Sequence, residues 1–175
     1  MPDDGKRYEI IGGELYVSRQ PSTEHQLVCS AATWALEAWS RATGVGSAIA
    51  APGLVFADDD DVAPDLIWIS RERLATALGQ DGHLHSAPEL VVEVLSPGAA
   101  NTRRDREVKL TLYSRRGVRE YWIIDGPNRR VEIYRRENLA LVLAATLDEP
   151  DTLTSPLMPG FVLTLDVLFA TAARV

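Results

Sequence analysis

Short apolar runs, separated by turns of glycine, proline and acidic residues, alternate along the chain with two longer stretches of helical periodicity. The first two runs, YEII and ELYV, flank Gly12-Gly13, and this pair predicts a β-hairpin because glycine tolerates positive φ. In residues 23–43 apolar side chains recur at helical spacing, Ser22 can cap the first turn and Gly44 can end the last. The first part of the chain therefore predicts a hairpin followed by a long helix.

The rest of the chain predicts more strands than helices. We expect an acidic turn at 58–61, a hairpin from VEIYRR and LALVLAATL, and strands at 46–51, 54–57, 62–70, 89–95 and 119–125. Helices are expected at about 71–78, in LTLDVLFATAA, and at 101–117 with Gly117 as the stop. The helix at 101–117 is long enough for a right-handed crossover between parallel strands.

The order of these elements predicts the fold class. We expect an α/β fold of mixed α+β character, in which helices flank a mixed central sheet and additional antiparallel strands extend it. The chain has 175 residues, of which 46% are hydrophobic, and this size suits a single domain over residues 1–175.

Composition excludes several classes of protein. The opening MPDDGKRYEI is charged rather than apolar, which argues against a signal peptide, and no apolar run approaches the roughly 20 residues that span a bilayer. Cys29 is the single cysteine, so an internal disulfide and a metal cluster built on cysteines are both excluded. We therefore expect a cytoplasmic protein that has no membrane partner.

The charge is unevenly distributed. A net charge of −7 argues against a protein that coats nucleic acid non-specifically. Residues 101–136, however, hold 11 Lys or Arg against five Asp or Glu, whereas the remainder of the chain holds seven against 20. This basic segment is either a surface for nucleic acid or a solvated helix and hairpin with arginine-rich outer faces.

Two acidic residues interrupt apolar strands. Glu93 stands in the middle of PELVVEVLSPG, where Val91 and Leu95 share its face and the opposite face is also aliphatic. An ionised carboxylate is costly in such a setting unless a partner or an ion binds it. Asp65 repeats the pattern, because it follows Pro64 and leads directly into LIWI.

Two acids on strands of one sheet can converge on a divalent cation, since Mg²⁺ prefers oxygen ligands and a protein often supplies only one or two carboxylates. Alternatively, Asp65 caps the Pro64 turn and Glu93 pairs with a buried arginine. Lys109 also has two interpretations. It forms a surface pair with Asp105 one turn earlier, or it lies over the cation site, where an ammonium can stabilise a phosphoryl oxygen or orient the attacking water.

The segments APDLIWIS, PELVVEVLSPG and RDREVKLTLYSRRGVREYWIID together resemble the Uma-type family of restriction-endonuclease-like proteins, which is placed in the PD-(D/E)XK nuclease superfamily. YEIIGGELY, PSTEHQ and MPGFVLTLDVLF also fit, so the resemblance covers nearly the whole chain. It implies a four-stranded mixed central sheet flanked by helices and extended here by antiparallel strands. It also implies a divalent-metal site in which Asp65 and Glu93 hold Mg²⁺ or Mn²⁺.

The chain departs from the superfamily pattern at one position. Two residues after Glu93, where the pattern has lysine, this chain has Leu95. The resemblance implies that Lys109, on the next helix, takes the place of the missing lysine.

Other residues have possible roles at the site. His25 matches a histidine typical of the family, and it can ligate a metal, contact a phosphate or simply bond to the backbone at the helix start. Tyr113 and Tyr121 are candidates for supporting contacts behind the ligands. His83 and His85 form an H-x-H pair, but we interpret them as part of a solvated loop because the sequence indicates no ligand carboxylate nearby.

These observations predict a metal-dependent endonuclease that hydrolyses phosphodiester bonds in DNA. Asp65 and Glu93 would hold the ion, and Lys109 would position water or stabilise developing charge. The basic helix would contact the DNA backbone through Arg103, Arg104, Arg106, Arg115 and Arg116. Two other functions stay open: a catalytically silent nuclease fold that serves as a binding or dimerisation module, and a hydrolase of a smaller phosphate ester. Apolar residues of the last hairpin favour a homodimer.

Overall fold

The structure, a computed structural model, describes residues 5–96 and 98–170. The strands in these ranges are β1 (Arg7–Ile11), β2 (Glu14–Ser18), β3 (Gly46–Ala50), β4 (Leu54–Ala57), β5 (Asp60–Val62), β6 (Leu66–Ser70), β7 (Leu90–Val94), β8 (Glu120–Asp125), β9 (Arg130–Glu137), β10 (Ala140–Asp148), β11 (Thr152–Ser155) and β12 (Met158–Thr164). The helices are α1 (Thr23–Thr43), α2 (Arg71–Ala77), α3 (Ala99–Arg103), α4 (Leu110–Arg116) and α5 (Leu165–Phe169), and a π-helical segment, Arg104–Lys109, joins α3 to α4.

A six-stranded mixed sheet forms the centre of the fold, with the strand order β10-β9-β8-β7-β6-β3. β7 and β8 are parallel, and α3, the π segment and α4 form the crossover between them. The other neighbouring strands in this sheet are antiparallel. The arrangement confirms the prediction of a mixed central sheet flanked by helices.

Strand β7 is buried on both faces of this sheet because aliphatic residues occupy both. Val92 belongs to the core layer beneath α1 and α5, whereas Val91 belongs to the layer on the opposite face, which includes residues of α4. Glu93 lies on the same face as Val91 and therefore points toward α4. Each buried aliphatic side chain contributes about 1.5–3 kcal/mol, which helps to offset the cost of holding an acid among them.

A second, antiparallel sheet has the order β2-β1-β5-β4 and contains the predicted N-terminal hairpin. The prediction of an acidic turn throughout 58–61 is wrong, because Asp60 and Asp61 belong to β5 and pair with β1. The predicted strand 62–70 also begins later, at Leu66, because Val62 ends β5.

Asp60 tolerates burial in β5 because other groups compensate its charge. Its carboxylate accepts hydrogen bonds from the Gly12 N–H at 2.8 Å, from Arg115 at 2.7 Å and from Arg116. Burial alone would raise the pKa of Asp60, but these donors lower it below the usual value. The contacts fasten the N-terminal sheet to the end of α4.

Replacing Asp60 with alanine is expected to destabilise the fold by about 1–3 kcal/mol, because three donors then lose their acceptor. Urea unfolding measures the change. The neighbouring Asp59 is an exposed control, and its replacement with alanine should alter stability by no more than about 0.5 kcal/mol. Equal stabilities of the two variants would contradict the fastening role of Asp60.

The helix predicted at 101–117 is unbroken along the chain, but it is not α-helical throughout. Its central turn is π-helical, and the wider turn changes the direction of side chains relative to an α-helix. Asp105 and Lys109 both lie in this turn, and both are buried against the sheet. The predicted helix and its stop at Gly117 are therefore confirmed, but the turn that carries these two charges is π-helical, which the sequence did not indicate.

The C-terminal part contains a strand pair that the sequence analysis did not identify. β11 and β12 form a two-stranded antiparallel sheet. Residues 163–164 of the expected terminal helix end β12, α5 covers Leu165–Phe169, and residues 171–173 lie outside the described part of the chain. Among the described residues, no helix combines the length and the apolar character that crossing a membrane requires.

Candidate active site

Asp65 lies directly before β6, beside the end of β7. The Val94 N–H donates a hydrogen bond of 2.9 Å to Asp65 Oδ2, which ties the carboxylate to the neighbouring strand. His25, in the first turn of α1, contacts the same oxygen through Nε2 at 3.1 Å. Arg7 of β1 donates to Oδ1 at 2.9 Å. Three separate elements therefore fix the orientation of Asp65.

These partners keep Asp65 ionised. Burial would raise the pKa of its carboxyl group, but the hydrogen bond and charge of His25, the charge of Arg7 and the Val94 N–H lower it well below the usual value. Asp65 therefore carries its negative charge throughout the neutral range. The contacts differ from the simple cap of the Pro64 turn that the sequence left open.

Glu93 lies in the middle of β7 and is only 2% exposed. Its Oε1 atom accepts two hydrogen bonds of 2.9 Å, one from Lys109 Nζ and one from the Tyr113 hydroxyl. The buried partner is therefore a lysine rather than the arginine considered as an alternative. Lys109 is fully buried, so the surface pair with Asp105 does not describe it.

The protonation of this pair follows from burial and from the surrounding charges. Burial raises the pKa of Glu93 to about 8; the charge of Lys109 opposes the shift, and the nearby carboxylates reinforce it. Burial would lower the pKa of Lys109, but Glu93, Glu9 and Asp105 raise it above its usual value. At neutral pH the lysine is therefore charged, and burial favours the protonated form of Glu93.

Two acids that the sequence analysis did not propose complete the cluster. Glu9 of β1 contacts Lys109 Nζ through Oε1 at 2.9 Å, while its Oε2 atom is buried and has no hydrogen-bond partner within the described structure. Asp105 Oδ1 lies 4.0 Å from Lys109 Nζ and 3.1 Å from Arg104 Nε. The sequence signal that identified Glu93 was an acid within an apolar strand. The same signal is present at Glu9, which lies within YEII.

The cluster brings four carboxylates together, Glu9, Asp65, Glu93 and Asp105. They face Arg7, Arg104 and Lys109, and His25 contacts Asp65. Burial and the neighbouring carboxylates favour a proton on Glu93. A bound cation could replace that proton.

Asp65 and Glu93 line one cavity of about 450 Å³. His25, Arg104 and Asp105 also contribute to its wall. The structure thus brings together the two acids that the sequence singled out. Lys109 is not part of the wall and reaches the cavity through its contact with Glu93.

One further group of possible ligands lies at the edge of the site. His25, Cys29 and Asp65 each place a donor atom within 4.8 Å of the others, and all three are buried. The sequence signal was the spacing of four between His25 and Cys29, which puts both on one face of α1. Burial, together with the charge of Asp65, raises the pKa of the Cys29 thiol well above its usual value, so the thiol is protonated.

The two tyrosines lie behind the acids. Tyr113 donates directly to Glu93, and its ring contacts that of Tyr121 edge-on, with centroids 5.1 Å apart. The Tyr121 hydroxyl donates to the backbone carbonyl of Asp105 at 3.0 Å. Tyr113 therefore orients Glu93, and Tyr121 supports the π-helical turn.

The five arginines predicted to contact DNA all contact acids. Arg103 pairs with Glu107, Arg104 with Asp105, Arg106 with Glu132, and both Arg115 and Arg116 with Asp60. These pairs reduce the positive charge that the segment can offer to nucleic acid. Arg104 alone among the five lines the cavity.

His83 and His85 lie in an exposed loop, as the sequence indicated. The expectation that no carboxylate is nearby is wrong, because Asp81 contacts His85 Nε2 at 2.9 Å and His83 Nδ1 at 3.3 Å. The loop lies apart from the cavity, whose wall does not include these histidines.

Comparisons with known proteins agree with this architecture. The structure is similar to the crystal structure of a "putative nuclease belonging to DUF820" from Anabaena variabilis, with a TM-score of 0.79, 18% identity, and coverage of 98% of this chain and 94% of that chain. This likeness shows the fold alone. No curated protein matched the chain by sequence. The model of the family Uma2, described as "Putative restriction endonuclease", matches residues 1–166. The chain therefore belongs to the Uma2 family of restriction-endonuclease-like proteins.

Proposed function

We propose that this protein is an endonuclease that uses Mg²⁺ or Mn²⁺ to hydrolyse phosphodiester bonds in DNA. The observation that carries the proposal is that two buried acids, Asp65 and Glu93, line one shared cavity. Buried acids are costly unless they are paired or coordinate a metal. Family membership supports nuclease chemistry in general.

The residues present fit a hard divalent ion. Asp65 and Glu93 offer carboxylate oxygens to the cavity, and His25 offers an imidazole nitrogen at its wall. Oxygen ligands suit Mg²⁺ and Mn²⁺, and imidazole is compatible with transition metals. When bound, such an ion polarises the scissile phosphate and lowers the pKa of a water ligand.

The protein itself supplies position and proton balance. His25 and Arg7 hold Asp65 in its ionised form, while Tyr113 and Lys109 fix the direction of the Glu93 carboxyl group. We propose that Lys109, anchored by Glu9, stabilises the ionised form of Glu93 during the reaction. In the described structure its ammonium group reaches the cavity through Glu93, so a direct contact with water or phosphate would require a local rearrangement.

Arg19 is a further candidate for DNA contact. It is exposed at the rim of the cavity and forms no ion pair within residues 5–96 and 98–170, unlike Arg103, Arg104, Arg106, Arg115 and Arg116. A free guanidinium in this position can bind the phosphate next to the one that is cleaved.

Replacing Arg19 with alanine should weaken DNA binding several-fold. It should also reduce the slope of log binding constant against log salt concentration by about one, as expected for one lost phosphate contact. Fluorescence anisotropy over a range of salt concentrations measures both effects. Arg119 is exposed and lies outside the cavity, so Arg119→Ala is the matched control and should bind like the wild type. An equal effect of both substitutions would remove the special role of Arg19.

Incubation of the purified protein with supercoiled plasmid tests the proposed function. We expect nicked and linear products with Mg²⁺ or Mn²⁺ and none with EDTA. Intact plasmid in the presence of a bound divalent ion would contradict the nuclease proposal.

A catalytically silent fold is the second candidate, because Arg7 already gives Asp65 a cationic partner. Calorimetry distinguishes the two functions. A silent fold should bind neither Mg²⁺ nor Mn²⁺ in a manner that depends on Asp65, whereas the nuclease should lose its binding in Asp65→Asn. Activity on mononucleotides without activity on polymers would instead select a hydrolase of small phosphate esters.

We also propose that the protein forms a homodimer through the β9–β10 hairpin. β10 is an edge strand of the central sheet, and Leu139, Val142 and Leu143 are exposed along this hairpin. An apolar edge strand is suited to pairing with a second copy. Sedimentation velocity compares the wild type with a Val142→Lys variant, which should be monomeric.

A further inference from the structure

A second cavity of about 660 Å³ lies along α1 and meets the first at Arg7 and Asp65, which line both. Its wall follows one face of the helix, from Gln26 near the N-terminus to Arg41 near the C-terminus. The two cavities therefore adjoin at the Asp65 side chain. A substrate that reaches Asp65 through the first cavity can extend into the second, which we call the α1 groove.

Trp34 is the most conspicuous residue of the α1 groove. Its side chain is 70% exposed, although a large aromatic ring normally buries most of its surface. It lies on α1, whose regular backbone fixes its direction. An exposed indole on a rigid element is suited to stacking against a planar ring.

The charges of the α1 groove favour the uncharged base of a nucleotide over its phosphate. Arg41 pairs with Glu37 at 2.8 Å, and Arg7 pairs with Asp65 at 2.9 Å. All the charged side chains of its wall are thus in ion pairs, so the wall offers no free guanidinium for a row of phosphates. Gln26 and Ser30 are exposed along the same helix face and can form hydrogen bonds.

We propose that the α1 groove binds an unpaired nucleotide beside the scissile phosphate, with its base stacked on Trp34. The volume of the groove lies in the range of small-molecule sites, which is sufficient for a nucleoside. The inference rests on the proposed function and narrows it, because the bases of a continuous duplex are already stacked and cannot reach the indole. The substrate class is then single-stranded or locally unpaired DNA.

Trp34 also borders an apolar furrow with Val162 and Val167, both exposed. A second copy of the chain could cover that furrow. Val162 is therefore an informative control, because it lies in the furrow but not in the α1 groove.

Binding of a fluorescent thymidylate oligonucleotide in EDTA tests the proposal without any contribution from metal or cleavage. We expect Trp34→Ala to weaken binding roughly 5- to 100-fold, the range for one lost base–aromatic stack. Trp34→Phe should restore most of the affinity, because phenylalanine also stacks, and Val162→Ala should bind like the wild type. Duplex DNA of the same sequence should bind more weakly than the single strand and depend little on Trp34.

The outcomes separate this inference from the nuclease proposal. If the wild type does not bind the single strand, or if Trp34→Ala binds it equally well, the α1 groove proposal is overturned whatever the plasmid assay shows. Suppose instead that Trp34→Ala and Val162→Ala both shift a dimer toward monomer and both bind DNA as well as the wild type. Trp34 then contacts a second copy of the chain through the furrow, and the α1 groove proposal is overturned. Loss of plasmid cleavage with intact Trp34-dependent binding would overturn only the nuclease proposal.

Discussion

Replacing Glu93 with glutamine is expected to slow metal-dependent DNA cleavage by about 10³-fold or more, while the fold stays intact. The rate falls because the variant loses a carboxylate ligand, and a bound ion supplies several kcal/mol of transition-state stabilisation. The fold persists because glutamine resembles the protonated acid that β7 already holds at neutral pH. Its carbonyl oxygen can still accept the hydrogen bonds of Lys109 and Tyr113.

Glu120→Gln is the matched control for this substitution. Glu120 is as deeply buried as Glu93, but it lies at the beginning of β8, outside the cavity, and pairs with Arg135. The control should lose stability and keep its cleavage rate when assayed well below its melting temperature. Supercoiled-plasmid cleavage and thermal unfolding of both variants measure the two effects. An unchanged cleavage rate in Glu93→Gln would show that Glu93 is not a residue of the active site.

Binding of a divalent ion is expected to release up to one proton at neutral pH, and its affinity should increase by up to about tenfold for each unit by which pH rises toward 8. The cause is the proton that Glu93 holds in the metal-free protein, which the ion must displace. Asp65 does not contribute to this dependence, because its pKa lies well below its usual value and the group is already ionised. Calorimetry in buffers of different ionisation enthalpy counts the released protons.

The same shift predicts how stability changes with pH. The pKa of Glu93 is higher in the folded protein than its ordinary value of 4.5, so its contribution to stability is complete below that value and is lost as pH rises toward about 8. The metal-free wild type should therefore lose stability over this window relative to Glu93→Gln. Parallel stability profiles of the two proteins, or metal binding without proton release, would contradict the shift.

The sequence predicted the features that short patterns of neighbouring residues determine. Alternating apolar residues predicted β7 and its two buried faces, and the length of the following helical stretch predicted a crossover to a parallel neighbour. A charged side chain is costly in such a strand, and this cost identified Glu93 and Asp65 as candidate site residues. The prediction of a single domain over residues 1–175 stays a prediction.

The partners of these acids could not be predicted in the same way. Arg7 and Glu9 come from the N-terminal hairpin, 58 residues before Asp65 in the case of Arg7, and nothing local connects them to the site. The spacing of apolar residues predicted a helix here, but it did not indicate that the turn holding the buried Asp105 and Lys109 is π-helical. The ion pairs of Arg115 and Arg116 depend on β5, which the sequence analysis interpreted as a turn.

A crystal of the protein soaked in Mn²⁺ and measured at the manganese absorption edge tests the central claim most directly. If the buried acids converge on a metal, the anomalous map will contain a peak in the cavity of about 450 Å³, coordinated by oxygens of both Asp65 and Glu93. A cavity without a peak, with Arg7 still bound to Asp65 and Lys109 still bound to Glu93, would contradict it.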